Sequence, residues 1–181
     1  MNTEELANTR IGKVFVEKMA VVLESSLRYR YYGPSRILKG AEIQPGQNVL
    51  EIGCGTGFFT LPAARLLGDR GSLLAMDILP VSVEAVAKKV QAANLKNVCV
   101  VKGDALDTKL DADSLDAVLI FGVIPAPMLP MGHLSYEMHR ILKPGGIMAV
   151  WPPSWVHKTI VRSGLFTMSS KRYGVFNFTR E

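Results

Sequence analysis

A chain of 181 residues, 48% hydrophobic and 20% charged, has room for one α/β domain with a substantial core, and its composition excludes a largely disordered polypeptide. The net charge of +5 is uneven: residues 49–150 carry nine basic and ten acidic side chains, residues 151–181 five and one. The centre is therefore no basic nucleic-acid platform; the basic ends read as a solvated face, with attraction to an acidic substrate or anionic lipid as the sharper alternative.

In chain order, residues 4–24 place Ile11, Phe15, Met19 and Val22/Leu23 at steps of three and four, the mark of an amphipathic helix. An Arg- and Tyr-rich stretch follows and ends in Gly33-Pro34, a breaker pair. A short helix is expected over Ser35–Ala41 and a turn at Gln44-Pro45-Gly46-Gln47. Strands then alternate with helices. The strands are Asn48–Ile52, Ser72–Ile78, Asn97–Lys102, Leu115–Phe121 and Ile147–Trp151. The helices are Phe58–Leu67, Val81–Ala93 and Met131–Leu142, the last stopped by a turn at Lys143-Pro144-Gly145-Gly146. Such alternation predicts a parallel sheet with helices on both faces. The tail differs. A helix over Trp155–Ser163 precedes two strand-like runs, Leu165–Ser169 and Tyr173–Thr179, which predict an antiparallel hairpin turning at Ser170-Lys171-Arg172.

Ligands of open parallel sheets bind outside the carboxyl ends of the strands. The first strand ends in Glu51 and runs into Gly53-Cys54-Gly55-Thr56-Gly57, where alternate glycines let a ligand approach the backbone. The second strand ends in Asp77 and Ile78, the third in Gly103-Asp104-Ala105 and the fourth in Phe121-Gly122. Three strands thus carry an acid at or near the tip. An acid there suits a ligand offering hydroxyl or ammonium donors, not a phosphate. A dinucleotide site needs G-x-G-x-x-G with the pyrophosphate on the helix N-terminus. Here the spacing is G-x-G-x-G, and Phe58 stands where the third glycine belongs. A nicotinamide-dependent oxidoreductase is therefore the weaker alternative. Asp77 does not discriminate, since it could accept ribose hydroxyls in either case.

These motifs together resemble class I S-adenosylmethionine (SAM) dependent methyltransferases. Glu51 to Gly57 resembles their first motif, Met76-Asp77-Ile78 their second, and Lys102-Gly103-Asp104-Ala105 their adenine-binding motif. Leu115-Asp116-Ala117-Val118-Leu119 is similar to their fourth strand. The segment from Glu137 to Gly146 resembles that of the ubiquinone/menaquinone-biosynthesis type. The resemblance implies a three-layer Rossmann-like sandwich with a mostly parallel seven-stranded sheet and a C-terminal antiparallel hairpin. It implies one domain, with residues 1–41 as a helical cap and 42–181 as the core.

The roles that the resemblance implies are these. Gly53, Cys54, Gly55 and Gly57 would meet the methionine and ribose portions of SAM, with Glu51 near the ammonium. Asp77 would hold the ribose hydroxyls and Ile78 would pack on the adenine. Asp104 would accept from the adenine amino group, the Ala105 amide would donate to the ring, and Phe121 would floor the site by the sulfonium. The plainer readings are that Asp77 caps the following helix and that Asp104 satisfies its own loop.

A SAM enzyme needs no covalent nucleophile, and needs a base only if the acceptor must lose a proton. His133 is the candidate base, against the plainer reading of a surface histidine at a helix start. Tyr31 and Tyr32 are candidate substrate-side residues. The apolar run Val123–Met131, with three prolines, suits a small or lipoidal acceptor. The Asn/Asp-Pro-Pro-Tyr/Phe signature of amino-methylating nucleic-acid enzymes is absent, as are the cysteine sets of arsenite and cytosine-5 methyltransferases. A non-catalytic SAM-binding module is the alternative from another class. Cys54 and Cys99 fit neither a disulfide scaffold nor a metal site. A polar N-terminus and the lack of a roughly 20-residue apolar run predict a cytoplasmic protein without a transmembrane segment.

Overall fold

The computed structural model describes residues 33–123, 130–151 and 156–181. The expected helix over 4–24, Tyr31 and Tyr32, Trp155, and most of the apolar run after the fourth strand lie outside the described residues.

Twelve elements are described: α1 (Pro34–Gly40), β1 (Asn48–Ile52), α2 (Thr60–Leu67), β2 (Ser72–Asp77), α3 (Pro80–Ala92), β3 (Val98–Lys102), β4 (Leu115–Phe121), α4 (Met131–Ile141), β5 (Leu142–Trp151), α5 (Val156–Arg162), β6 (Phe166–Arg172) and β7 (Val175–Arg180). The seven strands form one sheet in the order β3-β2-β1-β4-β5-β7-β6. The first five are parallel, while β7 runs antiparallel to both β5 and β6. The expected mixed sheet is therefore present, with the last strand inserted between β5 and β6.

Alternation along the strands sorts the core into two layers. Val49, Leu73, Ala117, Leu119 and Ala149 pack against Ile37, Leu38, Ala63, Ala64 and Leu67 of α1 and α2. Leu50, Ile52, Val118, Ile120, Met148 and Val150 meet Leu134, Met138 and Ile141 of α4 and Val156 and Ile160 of α5. Val86 and Val90 of α3 close over Ala75 and Cys54. Pro80 stands in the first turn of α3, where its missing N–H costs nothing. At the end of α2, Gly68 takes φ +67°, and Asn97 Nδ2 donates to the carbonyls of Ala64 and Gly68.

Two local expectations are corrected. The hairpin turns at Tyr173-Gly174 and not at Ser170-Lys171-Arg172. Those two residues take φ +49° and +80°, and the flanking pair Arg172–Val175 is in register. Positive φ at both central positions is the signature of the tight hairpin turn whose twist matches the strands. Lys143-Pro144-Gly145-Gly146 does not separate α4 from β5 either. Leu142 already pairs with Leu115, and the next pair is Ala117–Ile147, so the four residues bulge within the strand.

The hairpin is locked under α1. Asn177, fully buried, donates to the Gly40 carbonyl at 2.7 Å and to Ser170 Oγ at 2.9 Å, and Ser170 Oγ donates to Glu42 at 3.0 Å. A Cβ on Gly40 would lie 2.4 Å from the Arg172 carbonyl oxygen. Gly40→Ala should therefore destabilise despite alanine's better helix propensity. The expected loss is about 2 kcal/mol, with a fall in melting temperature of roughly 5 °C by thermal denaturation. An unchanged or raised melting temperature would mean that α1 does not seat on the hairpin this closely.

Candidate functional site

The carboxyl ends of β3, β2, β1 and β4 lie side by side, and the chain leaves each of them through a loop on that end. After β1, Gly53, Gly55 and Gly57 take φ +69°, +54° and +82°, a left-handed conformation that L side chains rarely adopt. The Gly53 and Cys54 amides donate to the Met76 carbonyl at 2.8 and 3.1 Å, drawing the turn over the tip of β2. A Cβ at Gly53 would collide with Val123, which follows β4, at 2.5 Å. At Gly55 the nearest such atom among the described residues is the Gly53 carbonyl oxygen, 3.8 Å away, so the described residues leave this position room for a ligand. Cys54 is buried, and burial, the nearby Glu51 and Asp77 carboxyls adding to it, pushes its thiol well above the usual range, so it is an inert packing group. Lys89 of α3 donates to the Thr56 carbonyl at 2.9 Å and braces the outer half of the turn.

Asp77 closes the turn from the second strand. Its Oδ2 accepts the Gly55 amide at 2.8 Å and its Oδ1 the Leu79 amide at 2.9 Å. Leu79, not Asp77, is the N-cap residue of α3. Burial raises the Asp77 pKa even though the Leu79, Gly55 and Ile78 amides oppose it. Glu51 is buried more deeply. Thr60, the first residue of α2, donates its hydroxyl to Glu51 Oε2 at 2.6 Å. Burial pushes the Glu51 carboxyl to about 8, the Thr60 bond opposes this and the Asp77 charge adds to it. Neither acid is in an ion pair among the described residues. Two buried carboxyls, Glu51 in the field of Asp77 and neither with a counter-charge among the described residues, make a site that favours cationic and hydroxyl-bearing groups.

Gly103 donates to the Asp77 carbonyl at 3.0 Å, bringing the loop after β3 beside the second strand tip. There Asp104 is exposed and accepts the Leu106 amide at 2.9 Å, while Ala105 packs on the α4 side of the core. The Asp104 side chain thus does satisfy its own loop, through one oxygen. Ile78 is half-buried directly after Asp77. Phe121 is buried, and its ring meets Phe59 edge-on at 5.0 Å in a cluster that Trp151 joins at 5.9 Å from Phe59.

The fold thus gathers Glu51, Gly53, Cys54, Gly55, Gly57, Asp77, Ile78, Asp104, Ala105 and Phe121 at one end of four adjacent strands. His133 stands apart from them. It is exposed in the first turn of α4 and lines an 810 Å³ recess with Leu106, Tyr136, Glu137, Arg140 and Arg180, a lining that includes neither the glycine turn nor Asp77. Sequence reasoning did not single out Thr60 or Lys89, and it named Val123 only as the start of the apolar run after the fourth strand. Thr60 carried the one usable signal, a hydroxyl at the first turn of the helix that follows the glycines.

Three comparisons bear on this arrangement. Residues 49–146 match the family model described as a methyltransferase domain. Among curated proteins, the chain is 32% identical over 106 residues to demethylmenaquinone methyltransferase of Bacillus cereus, covering 58% of this chain and 44% of that one. It is 29% identical over 152 residues to the protein of the same name from Listeria welshimeri, covering 80% and 63%. The chain therefore spans about half the length of the curated relatives it matches. Its fold is that of a SAM-dependent methyltransferase from Aquifex aeolicus, with a TM-score of 0.77 at 21% identity over 90% of this chain and 96% of that one.

Proposed function

We propose that this chain, which belongs to the methyltransferase-domain family, binds SAM at the glycine turn and methylates a small hydrophobic acceptor, a demethylated quinol ring being the leading candidate. The single observation that carries the cofactor is the pair of buried carboxyls, Glu51 and Asp77, which have no ion-pair partner among the described residues and flank a left-handed glycine turn. SAM offers a positive ammonium, a positive sulfonium and two ribose hydroxyls, the complement of that site. The residues present therefore fit the group.

In this reading Asp77 accepts the ribose hydroxyls, and its present partners, the Gly55 and Leu79 amides, hold its carboxylate in place. Glu51 supplies negative charge for the ammonium, oriented by Thr60. Gly55 leaves the backbone open to the ligand, and Gly53 and Gly57 set the curve. Ile78 offers an apolar face to the adenine, and Asp104 and Ala105 serve its polar edge. Phe121 and Val123 exclude water from the floor of the site. The bound cofactor supplies a methyl group already activated on sulfur, so the chain's task is alignment and water exclusion. His133, exposed in the α4 recess away from the glycine turn, is given no role as base in this reading. No described helix is long and apolar enough to cross a membrane.

The acceptor is tested with methyl-labelled SAM and a water-soluble demethylated naphthoquinol. Label is expected in the ring product. Label that appears only on other acceptors in a panel would overturn the quinol assignment while leaving the cofactor standing. Gly55→Ala tests the turn. A methyl at this position would enter the open space and must adopt φ +54°, which costs about 1–2 kcal/mol outside glycine. The expected result is a folded protein whose affinity for S-adenosylhomocysteine, read by calorimetry, falls about tenfold or more by the same energy scale. Unchanged affinity would place the ligand elsewhere.

A further inference from the structure

Glu137 lies on α4, far along the chain from the glycine turn, and is 9% exposed. Its Oε1 accepts both the Thr108 amide at 2.9 Å and the Thr108 hydroxyl at 2.6 Å. Arg140 grips the same carboxylate with two nitrogens, Nε to Oε2 and Nη2 to Oε1, each at 2.8 Å. A planar guanidinium on a carboxylate in this way fixes direction as well as distance. Arg140 then uses Nη1 to donate to the Leu110 carbonyl at 2.7 Å, and its own carbonyl accepts the Asp113 amide at 3.0 Å. The loop from β3 to β4 is therefore fastened to α4 at Thr108, Leu110 and Asp113. Its free end is the tight turn of Asp104 to Asp107, closed by the Asp107 amide on the Asp104 carbonyl at 3.1 Å. Thr108 is the residue next to that turn.

We infer that Glu137 is a positioning residue for the cofactor's adenine end: through Thr108 it sets where the Asp104–Asp107 turn stands, and so where Asp104 and Ala105 meet the ring. This rests on the proposal that the turn receives the adenine. Glu137 touches no ligand; it acts through the loop. Burial with a complete set of partners explains why a carboxylate is used. Two neutral donors from Thr108 and a bidentate arginine can be served together only by a group with two charged acceptor oxygens. Arg140 holds the Glu137 carboxyl at about 2, so the clamp stays closed throughout the neutral range.

A double-mutant cycle on the full chain separates positioning from general structural support. S-adenosylhomocysteine affinity is measured by calorimetry for the wild type, Glu137→Gln, Asp104→Asn and the double variant. Glutamine keeps one acceptor for Thr108 but loses the charged grip of Arg140. Each single change is expected to weaken binding about tenfold, the scale of one lost charged hydrogen bond. If Glu137 acts through Asp104, the double variant binds within threefold of the weaker single variant. If the two losses multiply instead, or if Glu137→Gln binds like the wild type, the positioning role is overturned. Should Glu137→Gln fail to fold, Thr108→Val replaces it in the same cycle with the same two outcomes. A wild type that does not bind S-adenosylhomocysteine at all would defeat the cofactor proposal itself, which this pattern keeps distinct.

Discussion

Asp77→Ala is expected to weaken S-adenosylhomocysteine binding by about 3 kcal/mol, roughly a hundredfold or more, because two ribose hydroxyls lose a charged acceptor. The fold should tolerate the change. The variant loses the Gly55 and Leu79 hydrogen bonds at 2.8 and 2.9 Å. It also removes a carboxylate whose raised pKa shows that burial disfavours its charged form. These effects oppose each other, so the melting temperature should move far less than the affinity. Calorimetric titration beside thermal denaturation checks both. A variant that binds within threefold of the wild type would remove Asp77 from the ligand's partners. A variant that unfolds would make its role the locking of the turn.

The second large effect is a pH dependence set by Glu51. Its carboxyl titrates near 8 in the folded chain against an ordinary 4.5. Between those values the folded protein holds a proton that the unfolded chain has released. The sign follows: the contribution to stability is complete below about pH 4.5 and is lost as pH rises through 8. At about 1.4 kcal/mol per unit the whole effect is a few kcal/mol. Glu51→Gln keeps the shape and cannot titrate. The ligand-free wild type and this variant should therefore be similarly stable near pH 5, with the variant the more stable near pH 9. A difference between their stability curves that stays flat from pH 5 to pH 9 would mean that Glu51 is not held protonated. A cationic ligand reverses the preference by drawing out the carboxylate. SAM binding at pH 7 should then release protons, seen as a dependence of the binding heat on the buffer's ionisation enthalpy. Glu51→Gln should abolish that release.

The strands and the strand-tip acids were legible because each rests on local chemistry. Asn48–Ile52 and Leu115–Phe121 are the strands that the apolar runs predict, and Glu51, Asp77 and Asp104 stand at or near the ends of β1, β2 and β3. The polar Ser170-Lys171-Arg172 misled because β6 is the edge of the sheet, where strand residues are exposed and read like a turn. The true turn needed two left-handed residues, and the glycine at 174 signalled only one. The direction of the Phe121 ring was not legible, since alternation shows which face it takes but not that Phe59 would draw it into an aromatic cluster. Thr60 and Glu137 were hidden for a different reason. Their partners, Glu51 and Thr108, are nine and 29 residues away, and only the packing of α2 on β1 and of α4 beside the β3–β4 loop brings them within 2.6 Å.

The acceptor follows from fewer residues than the cofactor. The relatives named for a quinone reaction match 58% and 80% of this chain and about half of their own length, and the apolar segment after β4 adds the hydrophobic character to the proposal. In the proposed reading Asp77 and Glu51 serve the cofactor whichever acceptor is used. The cofactor is thus the central claim, and the calorimetric titration of the full chain with S-adenosylhomocysteine tests it most directly, with NADH as the control ligand. One site with micromolar-range affinity and no heat from NADH is the expected result. Binding of NADH without binding of S-adenosylhomocysteine, or of neither, would contradict it.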